Sequence, residues 1–447
     1  MGMRVNTGSG IDPTMVEKLI EVEKMPIKNV EKRRDKTLDE QKLFGQLKTL
    51  VGDLNGSLNS LRNRTDFIKL KVESSHPDII DGTVDQQALP GSYEVEVRSV
   101  AKTHKLLAEA FPDKNETPVG FGYMTIELDD GKTFDIDIDP DEATLEHVAR
   151  KINEAEAGAK AIVINTKENL QYPGEDMFRL LVISEKSGKE AKVLVDPDTT
   201  FLEFKEQVTG RNLEMLFEDV EVFDEDNNLE ALMPGLVLNV KRAEPGTKIS
   251  INISYDVDKT FEQIAGFVEK YNKCNEFLEK QFQVDPQTNQ AGALSKDNTI
   301  RTIRRSLQNA LQHNSKVSKF HSLAELGIIT DSKTGGLKMD ETKVKQALSE
   351  DYLGVANLFV QTASGPGAGT IMSDAVRGLQ NSQYGVISSK DREYKRSLTN
   401  YEDDIARKER LAGQKAEGIK RRFSALESLL GGLNAQGQYL QAKFGGG

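Results

Sequence analysis

The sequence predicts an α+β multidomain chain in which long terminal α-helices form a coiled-coil or helical-bundle leg and β-rich domains are inserted between them. Three observations carry this reading. From Val386 to Phe444 there is no proline, and Leu398, Ile405, Ala412, Ile419, Leu426, Leu433 and Leu440 recur every seven residues, the seam of a coiled coil. Toward the other end Phe44, Leu47, Val51, Leu54, Leu58 and Leu61 alternate spacings of three and four, which puts them on one helical face. Between these ends, short stretches alternate apolar and polar residues, as half-buried strands do.

In chain order, Asp12 and Pro13 fit an N-cap and first-turn pair for a helix showing Met15, Val16, Leu19 and Val22. That helix is expected to break at Met25-Pro26, because proline donates no backbone hydrogen bond. The strand candidates are Ser92 to Val100, Tyr123 to Asp139, Ala159 to Thr166, Phe178 to Ser184 and Thr247 to Asp256, with Asp129-Asp130-Gly131 as a hairpin-type turn. One helix, Asp141 to Glu156, lies among them with Leu145, Val148, Ala149 and Ile152 on one face. Helices resume at Thr260, where Phe261, Ile264, Val268, Tyr271, Leu278 and Phe282 share a face; Ile300 to Leu311 and Thr342 to Leu348 make two more. Ala363 to Thr370, ASGPGAGT, reads as a flexible loop before the last helices.

The last helix carries Ala416, Phe423, Leu430 and Phe444 at the companion position of its seam. An intramolecular bundle could satisfy Phe44 to Leu61 against Leu398 to Ile419. Beyond Leu426 the helix contains Gly431, Gly432 and Gly437, each costing about 1 kcal/mol relative to alanine. That tail is expected to need a partner that buries its Leu and Phe side chains at roughly 1.5 to 3 kcal/mol apiece.

A net charge of -12 over 447 residues argues against a duplex nucleic-acid binder, which needs a lysine and arginine excess, and against an anionic membrane surface. No apolar run approaches the length of a bilayer span. The start, MGMRVNTGSGID, has one arginine and no apolar core, so a cleaved secretory signal is not expected. A single cysteine, Cys274, excludes an intrachain disulfide.

Candidates for chemistry are weak. In Phe134 to Glu146, the carboxylates Asp135, Asp137, Asp139, Asp141 and Glu146 fall where a calcium loop places its ligands, but Pro140 stands where that loop needs glycine and Phe134, Ile136 and Ile138 alternate as a strand. A solvated strand edge followed by a helix start is the better reading. SGPGAG (Ser364 to Gly369) has the glycines of a phosphate-cradling loop but no following lysine. The histidines at 76, 104, 147, 313 and 321 lack metal-ligand pairing. Cys274, on the shoulder of an apolar face, reads as a small hydrophobe without a basic partner. No catalytic residue, cofactor or metal ligand is assigned.

Several stretches, in register, resemble one family. GSGIDPTMVEKLIEVEKMPIKNVEKRR (Gly8 to Arg34), ALPGSYEVEVRSVAKTHKL (Ala88 to Leu106), LEALMPGLVLNV (Leu229 to Val240), FEQIAGFVEKYNKCNEFLEK (Phe261 to Lys280) and SLAELGIITDSKTGGLKMDETKVKQAL (Ser322 to Leu348) are similar to the flagellar filament cap (FliD, flagellar hook-associated protein) family. Between Phe111 and Gly210 only TLEHVARKINEAEAGAKAIV (Thr144 to Val163) is similar, to a short repeat with an Ile-Asn pair in flagellin and hook-associated proteins. The resemblance implies a non-enzymatic structural protein at the filament tip, outside the cell, exported by the flagellar apparatus with an export chaperone and without a cleaved signal. It implies a ring-shaped homo-oligomer under which flagellin folds and inserts.

On this reading Leu426, Leu430, Leu433, Leu440 and Phe444 contact the filament, while Phe44, Leu47, Leu54, Leu61, Leu398, Ile405 and Ile419 form the bundle seam. The expected domains are 1–40, an N-terminal leg segment; 41–66 with 257–422, a helical bundle; 67–110 with 211–256, a β-rich domain; 111–210, an inserted variable β-rich domain with one helix; and 423–447, a C-terminal leg helix. Alternatives are another flagellar axial protein such as a hook-filament junction protein, a cytoplasmic coiled-coil scaffold, or an acidic hydrolase with carboxylates in the β-rich middle.

Overall fold

The computed structural model describes residues 13–129, 131–167, 176–197, 200–284, 291–312 and 319–444. Asp12, Asp130 and His313 lie outside them. The chain divides into two compact units, residues 1–67 with 258–447 and residues 68–257. The expected class, helices at both ends around a β-rich middle, is borne out.

The first unit is helical: α1 (Pro13–Arg62), α2 (Arg64–Phe67), then after the insertion α4 (Val257–Phe282), α5 (Asn298–Leu311), α6 (Glu341–Glu350), α7 (Tyr352–Phe359), α8 (Ala368–Gln380) and α9 (Val386–Phe444). α9 has 59 residues, roughly 90 Å at 1.5 Å each. Phe44, Leu47, Val51, Leu54, Leu58 and Leu61 of α1 are all buried, with Ile264, Phe267 and Leu278 of α4, Ile303 and Leu307 of α5, and Met372 and Val376 of α8 also in the core. Phe67 lies 5.6 Å from Phe359 ring to ring. Asp297 caps α5 by accepting the Thr299 N–H at 2.8 Å, and its other oxygen is 3.0 Å from Lys390 Nζ of α9.

α1 and α9 run antiparallel, and their register differs from the expected pairing. Phe44 meets Tyr394, with ring centroids 5.6 Å apart; Lys48 lies 3.6 Å from Asp391; Ile27 and Val30 cluster with Ile405 and Ala412; Lys415 reaches Glu23 at 2.7 Å. Every step up one helix is a step down the other, so residues 23–30 of α1 face Ile405 to Lys415, and Leu61 falls beyond the start of α9, at α8.

Two further expectations are corrected. α1 does not break at Pro26; the helix passes through it. A proline inside a helix costs about 3 kcal/mol, and the burial of Ile27 and Val30 in the next turn, against α9, offsets it. The segment Ala363 to Thr370 is not a free loop. Thr362 and Gly365 close a turn, Gly367 caps α8, and Thr370 Oγ1 donates to the Arg62 carbonyl. A Cβ on Gly369 would come within 2.6 Å of the Leu61 carbonyl oxygen, so close backbone approach accounts for that glycine.

The second unit is β-rich. Strands β1 (Leu70–Ser74), β3 (Gly91–Ser99), β11 (Leu213–Phe217), β12 (Val220–Asp224) and β15 (Ile249–Tyr255) form a five-stranded sheet in the order β1-β15-β3-β11-β12, and β2 (Ile80–Val84), β13 (Asn228–Met233) and β14 (Leu236–Val240) a three-stranded one. They share a core that includes Ile80, Val95, Val97, Met215, Leu238 and Ile251. A second core, around Met124, Ile126, Leu145, Val148, Ile152 and Leu180, joins α3 (Leu145–Glu154) to two more sheets. These are β10-β4-β8-β7, built from β4 (Thr103–Ala108), β7 (Ala159–Asn165), β8 (Phe178–Ser187) and β10 (Phe204–Val208), and β6-β5-β9, built from β5 (Gly122–Leu128), β6 (Thr133–Ile138) and β9 (Val193–Asp196). A hairpin of β16 (Ile328–Thr330) and β17 (Leu337–Met339) belongs to the helical unit. α3 starts at Leu145 rather than Asp141, because Thr144 supplies the cap that accepts the His147 N–H.

Candidate assembly surfaces

The paired ends of α1 and α9 build the first surface. Pro26 leaves one turn of α1 short of a hydrogen bond, and before it Met15, Leu19, Val22 and Met25 are all more than half exposed. Between the helices a groove of about 700 Å³ is lined by Val16, Ile20 and Phe423 together with Glu17, Glu21, Lys24, Lys28 and Lys420.

Of the seam residues, Phe44, Leu47, Leu54 and Leu61 are buried in the bundle and Ile405 is buried against α1. Leu398 and Ile419 are half-buried, as is Leu430. Leu426, Leu433 and Leu440 are exposed to 50%, 54% and 54%, and the Phe444 side chain lies outside the described residues. Leu429, which the seven-residue count passes over, is the most exposed of the tail leucines; the i, i+3, i+7 spacing of Leu426, Leu429 and Leu433 was the signal for it. A Cβ at Gly431, Gly432 or Gly437 would meet nothing within 4 Å, so among the described residues no contact requires those glycines.

The other candidates resolve into structural roles. Cys274 is fully buried and burial pushes its thiol up to about 12, far from a nucleophile at neutral pH. Asp135 takes a hydrogen bond from Thr125 at 2.8 Å across a strand pair, and Ile136 and Ile138 turn inward from it, as the strand reading requires. His104 is buried beside Glu206, 3.4 Å away, and accepts the Val193 N–H. His147 faces Glu142 at 2.8 Å. Among the described residues no His, Cys, Asp and Glu group could hold a metal, and no helix is long and apolar enough to cross a membrane. Asn153, the Asn of the Ile-Asn pair, donates to the Ala161 carbonyl at 2.8 Å and accepts the Ala161 N–H at 2.9 Å, so one side chain fastens α3 to the edge strand β7.

Comparison with known proteins gives one consistent answer. The family described as flagellar hook-associated protein 2 C-terminus matches residues 210–435, and that described as flagellar hook-associated protein 2 N-terminus matches residues 9–104. The B-type flagellar hook-associated protein 2 of Pseudomonas aeruginosa is 24% identical, with 96% of this chain and 94% of that protein covered. Flagellar hook-associated protein 2 of Escherichia coli strain K12 is 23% identical over 98% of this chain and 97% of its own length. A crystal structure of the D1-D2-D3 domains of the flagellar cap protein FliD from Escherichia coli shares the fold, with a TM-score of 0.63 at 23% identity, covering 79% of this chain and 99% of that one. With its C-terminal half matched from Gly210 to Ala435 and its N-terminal part from Ser9 to His104, the chain belongs to the flagellar hook-associated protein 2 family.

Proposed function

We propose that this chain is a structural cap at the distal end of a bacterial flagellar filament, a ring-shaped homo-oligomer beneath which flagellin folds and inserts, and that it carries out no bond chemistry. The observation that supports this best is the stripe Leu426, Leu429, Leu433 and Leu440, exposed on α9 beyond the turns that pack on α1. Four leucines at roughly 1.5 to 3 kcal/mol each on full burial outweigh the helix cost of three glycines at about 1 kcal/mol each. The tail is thus built to be ordered by a partner, and filament subunits are the partner the family membership points to. Leu430 and Phe444 belong to the same contact in this reading. The chain travels to the filament tip through the flagellar export apparatus, with an export chaperone.

The double variant Leu433→Asp with Leu440→Asp is expected to keep the far-ultraviolet spectrum of the native chain and to abolish filament growth, read as lost swimming. Normal swimming would remove the tail from the mechanism. Mass photometry of the native chain is expected to show a discrete ring, and its absence even with filament ends supplied would remove the ring.

A further inference from the structure

The strand β12 closes one side of the five-stranded sheet, and no further strand pairs with its outer edge among the described residues. Its sequence, Val-Glu-Val-Phe-Asp, is rich in strand formers. Opposite residues of an antiparallel pair share a face, so Phe223 lies with its partner Glu214 on one face and Val220 with its partner Phe217 on the other. Val220 is 64% exposed and Phe223 59%. An exposed edge of this kind is a template for another strand unless something guards it, usually lysine, proline or a bulge.

Here the guards are carboxylates. From Asn212 to Val240 the chain has eight Asp and Glu and no Lys or Arg. Arg98, from β3, lies within 3.6 Å of both Glu214 and Glu221, but among the described residues Asp224, Glu225 and Asp226 at the far end of the strand form no ion pair. The whole unit shares this bias. Residues 68–257 contain 39 Asp and Glu against 20 Lys and Arg, a net charge of -19, while the rest of the chain is +7.

A second copy of β12 laid antiparallel on the first would bring two acidic strands and two acidic turns together, which like-charge repulsion opposes. The same charges attract a cationic chain. We propose that β12 is a docking edge for an extended, cationic segment of another protein, which adds to the sheet as a sixth strand with apolar residues against Val220 and Phe223 and Lys or Arg beside the carboxylates. The backbone edge supplies the pairing, and the acidic fence selects against copies of the chain itself. The inference is independent of the tail contact proposed above.

The test uses the full chain and a labelled peptide about 10 residues long to overrun the strand, with Val at every third position and Lys between so that one Val meets Val220 and the next Phe223, followed by fluorescence anisotropy. Three controls accompany it: the same peptide with Glu for Lys, and two versions N-methylated on alternate residues in either phase, which keep the charge but cannot pair on one edge. The Lys peptide is expected to bind and the Glu peptide not. One N-methylated phase should bind at least about tenfold more weakly, the loss of roughly one to two hydrogen bonds. Val220→Asn with Phe223→Asn, which leaves the charge unchanged, should weaken binding about as much with an unaltered circular-dichroism spectrum.

Equal binding of all cationic peptides would reduce the edge to diffuse attraction and overturn the inference. So would failure of the Lys peptide to bind, or self-association of the chain that the double Asn variant abolishes.

Discussion

Asp297 is held at the junction of two interactions, as the cap of α5 and the partner of Lys390 on α9. Burial alone would raise its carboxyl, but hydrogen bonds from Lys390 and from Thr299 outweigh that and hold it below the usual aspartate value. A carboxyl depressed in the folded state contributes stability that is complete above its unfolded value, about 3.9, and is lost as pH falls through the lower, folded one. Asp297→Asn keeps a side chain able to cap and removes the charge. It is expected to cost about 1 to 2 kcal/mol at pH 7, with the two urea-unfolding midpoints converging only below about pH 4; a difference that persisted unchanged to pH 3 would mean the charge is not what matters. Nothing in the sequence announced this pair, because the two residues are 93 positions apart and Asp297 looks like any polar residue before a helix.

Within α1, Pro26 shows where a local rule loses to packing. The rule that a helix stops at proline is sound on propensity, but the buried Ile27 and Val30 tie the following turn to α9. Pro26→Ala restores a donor and removes a clash with the preceding turn. It is expected to slow amide hydrogen exchange of residues 20–30 by about tenfold or more, with little change in the β-rich unit. The long helices were legible because a seven-residue repeat sustained over many turns suits a helix and no strand, and α9 begins and ends at the residues its pattern names. The short strands were not. β10, Phe-Lys-Glu-Gln-Val, and β9, Val-Leu-Val-Asp, are four or five residues long, too short for alternation to stand out, and the strands they pair with, β4 and β5, lie far off in the chain. Likewise Asn153 drew notice only as half of an Ile-Asn pair; its hold on Ala161 depends on a turn that no periodicity reveals.

For the molecule as a whole, the two β-rich cores have no buried residue in common. Damage to one should therefore stay local. Ile152→Ala, at a fully buried position on α3, is expected to cost about 2 to 5 kcal/mol of that core's stability. Proteolysis should then cut within residues 111–204 while α1 and α9 stay protected; simultaneous loss of the helices would show one cooperative unit instead. The seven-residue repeat of the tail leucines could be read from the sequence, but their exposure of 50% or more could be learned only from the three-dimensional structure.

The pairing of β1 with β15, Leu70 opposite Tyr255, has a kinetic meaning. It brings the two ends of a 190-residue insertion side by side, and the Asp256 N–H donates to the Lys69 carbonyl at 2.8 Å. Closing so long a loop from a disordered chain costs on the order of 4 to 5 kcal/mol in entropy. Once the insertion has folded on its own contacts, that cost is already met, and the helical unit can assemble as if Phe67 were followed almost directly by Asp258.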